Sequence, residues 1–113
     1  MEVKQKSRYE RNFERAVKLT QQLVRIPSVY RPGEPDGNEE KVAHFVADYL
    51  RNIGIEVHVE EVVPGRPNVI GIVDSGKPGQ TLLFEGHTDV VTEGDAASWN
   101  YDPFGPEITS VKM

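Results

Sequence analysis

His87 and Asp89 stand two residues apart, just after the apolar run Leu82-Leu83-Phe84 and a single glycine, Gly86. A neutral imidazole can give one ring nitrogen to a cation while the other donates a hydrogen bond to a carboxylate. That second bond fixes the tautomer and raises the basicity of the ligating nitrogen. If the backbone stays extended, residues two apart point the same way, so Asp89 is placed to accept from His87. The carboxyl ends of strands in an open α/β sheet form a ligand crevice, and Gly86 leaves room for close approach there. Taken alone, such a pair is more often a satisfied core histidine beside a turn aspartate.

The other two histidines carry less chemistry. His44 falls opposite the apolar stripe of its predicted helix, with Asp48 four residues on as a surface partner. His58 shares a strand face with Glu56 and Glu60. Alternate strand residues are about 6.6 Å apart, too far for three to close around one ion, so a solvated face is expected.

Positioning such a site takes helices and strands in alternation. Phe13, Ala16, Val17, Leu19, Leu23 and Val24 make one apolar side of a helix over Phe13–Val24, which Pro27 stops. After the loop containing Pro32, Gly33, Pro35 and Gly37, Asn38 is a plausible N-cap for a second helix, Glu39–Ile53. Its buried stripe is Val42, Phe45, Val46, Tyr49, Leu50 and Ile53, and Gly54 sits where a left-handed residue ends a helix. The period changes to two over Ile55–Val63, with Ile55, Val57, Val59 and Val63 on the apolar face. Val69–Val73 reads as a second strand and Thr81–Glu85 as a third, buried on both faces. The expected fold is α/β, two helices on a small mixed sheet of about three strands.

Composition narrows the class of function. The 113 residues suffice for one modest core, and a net charge of −5 argues against a nucleic-acid partner. Lys4, Lys6, Arg8, Arg11, Arg15 and Lys18 are interleaved with Glu2, Glu10 and Glu14, the pattern of a solvated helix face. Without cysteine there is no disulfide, thiolate nucleophile or cysteine-type zinc site. No secretory h-region or apolar membrane span is evident, so a cytoplasmic protein without membrane contact is expected.

Longer stretches of text make a specific resemblance. Phe84-Glu85-Gly86-His87-Thr88-Asp89-Val90-Val91, followed by Trp99-Asn100-Tyr101-Asp102-Pro103-Phe104, resembles the zinc-hydrolase superfamily that includes acetylornithine deacetylase, succinyl-diaminopimelate desuccinylase and the aminoacylases. Leu23-Val24-Arg25-Ile26-Pro27-Ser28-Val29, Gly37-Asn38-Glu39-Glu40, Ile53-Gly54-Ile55-Glu56-Val57 and Arg66-Pro67-Asn68-Val69-Ile70-Gly71 are similar to its first helices and strands, in order, from about Ala16 to Ile108. The resemblance implies hydrolysis of an amide bond in an N-acyl amino acid or small peptide. It implies a paired-zinc site, with cobalt or manganese as alternatives, and a homodimeric parent. It makes His87 a metal ligand and Asp89 the catalytic carboxylate that orients it, with Trp99 and Phe104 packing the following loop. The family's bridging aspartate, base glutamate, other ligands and dimerisation domain have no counterpart up to Met113. The chain, residues 1–113, is therefore expected to be the N-terminal part of one catalytic domain, inactive alone. The rival expectation is a non-catalytic module that associates with a partner through the exposed strand Thr81–Glu85.

Overall fold

The computed structural model describes residues 4–109. Glu2 of the mixed-charge stretch and residues 110–113, where the text parts from the family's, lie outside the described residues. The chain is mixed α/β, with helices α1 (Arg8–Val24) and α2 (Glu40–Asn52), strands β1 (Glu56–Val63) and β2 (Arg66–Ile72), and a 3-10 turn at Ala96–Ser98. The described residues fall into two compact units, one of residues 27–92 and one of residues 4–26 with 93–109.

In the larger unit, α2 packs on an antiparallel β1–β2 hairpin. The helix starts where Asn38 Oδ1 accepts the Glu40 amide at 3.0 Å, with Glu39 as the cap residue. It ends in a Schellman motif: the Gly54 amide donates to Arg51 and the Ile55 amide to Leu50, both at 3.0 Å, with Gly54 at φ +86°. Val42, Ala43 and Ala47 are its buried residues, and small side chains there let the hairpin come close. Into β1 the expected alternation holds as far as Glu60, with Ile55, Val57 and Val59 half-buried and Glu56, His58 and Glu60 exposed; Val63, expected on the buried face, is exposed beyond the irregularity at Glu61/Val63. Glu56 pairs with Ile72 and Val63 with Arg66, with an irregularity at Glu61/Val63 beside the Pro64-Gly65 turn.

The third strand is a correction. Thr81–Glu85 joins no ladder among the described residues, and Leu82, Leu83 and Phe84 are 77%, 79% and 85% exposed. A continuous apolar run gains strand structure and burial only from neighbours on both sides, and none of the described residues supplies them. Among the described residues the sheet has two strands rather than three.

The smaller unit is built on α1, which begins five residues earlier than the apolar stripe suggests. The Ser7 side chain caps it, accepting the Glu10 amide at 3.1 Å, and Lys6 pairs with Glu14. No residue of α1 is buried, and Phe13 is 60% exposed. Gln21 Nε2 donates to the Pro106 carbonyl at 2.7 Å, and Trp99 Nε1 donates to Glu93 at 2.9 Å. Trp99 and Phe104 thus serve the shape of this loop, and Asp102 accepts the Phe104 amide at 3.0 Å within it.

Candidate functional site

The site lies in the larger unit, and two ties to residues 28 and 29 place its backbone. Ser28 Oγ donates to the Thr88 carbonyl at 2.8 Å, and the Val90 amide donates to the Ser28 carbonyl at 3.2 Å. Val29 and Val90 form a parallel bridge, and Ser28 and Val29 are both buried. Asp89 is therefore held on either side by a segment sixty residues upstream.

Asp89 and His87 meet as the spacing suggests. His87 Nδ1 is 3.2 Å from Asp89 Oδ1 and 2.8 Å from the Asp89 main-chain oxygen. Both oxygens can only accept, so the ring proton of the neutral imidazole belongs on Nδ1. Nε2 then carries the lone pair, and the His87 side chain is 84% exposed. The imidazole is a proton acceptor or a ligand with its orientation set from behind.

Behind Asp89 stands a group that sequence reasoning left out. Arg66, at the start of β2, donates from Nε to both carboxylate oxygens of Glu39 at 3.1 and 3.0 Å and from Nη2 to Oε1. Its guanidinium lies 3.7 Å from the Tyr30 ring centroid, and Nη2 is 3.8 Å from Asp89 Oδ2. The Glu39 side chain is only 7% exposed. Its hydrogen bond holds the Arg66 pKa above the ordinary value, with smaller contributions from the nearby charges of Glu39, Tyr30 and Asp89 set against desolvation. Sequence alone offered a weak signal for this pair, because Glu39 reads as a first-turn acid favoured by the helix dipole.

The other histidines stay apart from the site. His44 Nε2 is 3.9 Å from Glu40 Oε1, four residues before it, so its partner is Glu40 and not Asp48. Asp48 instead lies 3.6 Å from Arg51. His58 bonds Glu56 at 3.0 Å on the exposed face of β1.

Arg66, Glu39, Asn68, His87 and Asp89 share the lining of an open depression of about 900 Å³ with Leu83 and Phe84. Among the described residues no group of three or more histidine, cysteine, aspartate or glutamate side chains is placed to hold a metal ion. A catalytic zinc takes three protein ligands and a water. The described residues therefore do not form a metal centre by themselves; what they form is one oriented imidazole.

Comparison with known proteins gives the context. The chain is 39% identical over 97 residues to a succinyl-diaminopimelate desuccinylase of Methylocella silvestris, covering 82% of this chain and 23% of the relative. It is 30% identical over 99 residues to an N-formyl-4-amino-5-aminomethyl-2-methylpyrimidine deformylase of Bacillus subtilis, covering 86% and 22%. It is 38% identical over 84 residues to an acetylornithine deacetylase of Aliivibrio salmonicida, covering 74% and 21%. No family profile matches the chain, and no solved structure matches it. The chain thus spans between a fifth and a quarter of the length of these relatives. Over that span it is a homologue of the desuccinylase and deacetylase superfamily of deacylases.

Proposed function

We propose that the chain is the N-terminal part of the catalytic domain of a cytoplasmic, metal-dependent amide hydrolase. Its substrates would be N-acyl amino acids or small peptides. The parent would be a homodimer that uses a paired metal site, zinc in the first instance. One observation carries this reading: Nδ1 of His87 is engaged by two oxygens of Asp89, which leaves the Nε2 lone pair for a cation. Bound metal would lower the pKa of a water and polarise the substrate carbonyl. His87 would be one ligand, and Asp89 would hold its tautomer. The remaining ligands and the base would come from residues beyond those described. The desuccinylase, deacetylase and deformylase names of the relatives support acyl-group removal.

Two experiments test it. Calorimetric titration of the 113-residue chain with zinc should give weak binding, and N-acetyl amino acids should not be turned over; tight stoichiometric zinc with turnover would overturn the reading. Put in place of the matching stretch of the Aliivibrio acetylornithine deacetylase, the chain should support metal-dependent deacylation. His87→Ala in that chimera should cost at least about 100-fold, since it removes a ligand outright where loss of an outer-shell partner already costs 10–100-fold.

A second reading, association with a partner chain, is favoured by the exposed apolar run Leu82-Leu83-Phe84. Light scattering separates the two, because a concentration-independent monomer removes the support for association.

A further inference from the structure

We infer that Arg66 is a positioning residue for the imidazole, acting through Asp89: it divides the Asp89 carboxylate so that Oδ2 faces the guanidinium and Oδ1 faces His87. The inference rests on the pairing of His87 with Asp89 proposed above. Four observations support it. Asp89 Oδ2 is 3.8 Å from Arg66 Nη2 while Oδ1 is 3.2 Å from His87 Nδ1. The first distance is too long for a hydrogen bond, so the guanidinium steers the carboxylate by charge without capturing it. Glu39 already takes the fork of Arg66 through Nε and Nη2, which keeps the guanidinium from closing fully on Asp89. The Tyr30 face, 3.7 Å away, removes the guanidinium's freedom to swing.

The result is a chain of fixed charges running from the start of α2 through Glu39, Arg66 and Asp89 to the ring of a side chain that is itself 84% exposed. An exposed histidine gets no orientation from packing, so orientation has to come from this side. A lysine would not do the same work, because one ammonium cannot fork to Glu39 and still lie flat on Tyr30.

A merely structural role, tying the start of α2 to β2, makes a different forecast, and a double-mutant cycle read by nuclear magnetic resonance tells them apart. The readout is the ratio of Nδ1–H to Nε2–H tautomer of His87 in the metal-free chain at about pH 9, where an ordinary imidazole is neutral. In the wild-type background, Asp89→Asn should lower this ratio about threefold, the worth of a modest exposed hydrogen bond. In the Arg66→Gln background the same change should lower it by less than about 1.5-fold, because the carboxylate is no longer aimed. Equal effects in both backgrounds would overturn the inference while leaving the His87–Asp89 pairing intact. No effect of Asp89→Asn in the wild-type background would instead sink that pairing and the inference with it. Should Arg66→Gln fail to fold, Arg66→Met, which also removes the charge, takes its place with the same criterion. Failure of both to fold would assign Arg66 a structural role and overturn the inference.

Discussion

His87 illustrates how an exposed side chain can still be oriented. Its side chain is 84% exposed, yet Nδ1 meets two oxygens of one residue. The Arg66 pKa is held above the ordinary arginine value, chiefly by the hydrogen bond to Glu39. A cation whose folded pKa is raised gives stability that is fully present below its unfolded pKa and is lost only as pH rises through the folded one. For Arg66 that window opens only at the ordinary arginine value. The stability difference between wild type and Arg66→Gln should therefore be constant from about pH 8 to about pH 10, as read by urea unfolding. A difference that fell away within that range would contradict the charge arrangement. Gly37 supplies a steric counterpart. A Cβ there would stand 2.3 Å from the Arg31 main-chain oxygen, inside the turn whose Arg31 amide donates to the Gly37 carbonyl at 2.8 Å. Gly37→Ala should cost about 2 kcal/mol or more in thermal or urea unfolding, because backbone on both sides must shift.

At the scale of elements, what was legible from sequence depended on where the partner surface lies. Both helices, the start of α2 near Asn38, the Gly54 stop and the alternation from Ile55 to Glu60 are dictated by neighbours a few residues away, and all of them stand. The strand read at Thr81–Glu85 does not form among the described residues, since its apolar content speaks of neighbours that they do not provide. Likewise the His87–Asp89 contact follows from a two-residue spacing, whereas Arg66–Glu39 joins residues 27 apart and leaves no local pattern. Substitution should follow the same division. Ala47 is 0% exposed, so Ala47→Leu should overpack the face of α2 against the hairpin and cost about 1–3 kcal/mol. Phe84→Lys, at a position 85% exposed, should change unfolding free energy by no more than about 0.5 kcal/mol. A large loss from Phe84→Lys would mean that this run is buried in solution.

Across the whole molecule, stability is unevenly spread. The unit of residues 27–92 holds every buried residue of the described chain, and α1 in the other unit holds none. A helix of 17 residues without a buried face gains little from packing, and isolated helices near this length are marginal in water. Amide hydrogen exchange in α1 should accordingly be faster than in the Val42–Tyr49 core of α2, by at least about tenfold at the same pH. Slow exchange throughout α1 would show that its apolar side is covered in solution. No helix of the described residues is long and apolar enough to cross a membrane.

The hydroxyl of Ser28 that reaches the Thr88 carbonyl has a consequence for the order of events in folding. The hairpin and α2 close through short loops, but the loop that brings residue 88 back to residue 28 must enclose both of them first. Closing so long a loop costs more entropy than closing the short ones and is rewarded after them. The imidazole's surroundings are thus completed after the body that carries them, and a change at Ser28 would be felt late, as a finished scaffold with an unfinished mouth.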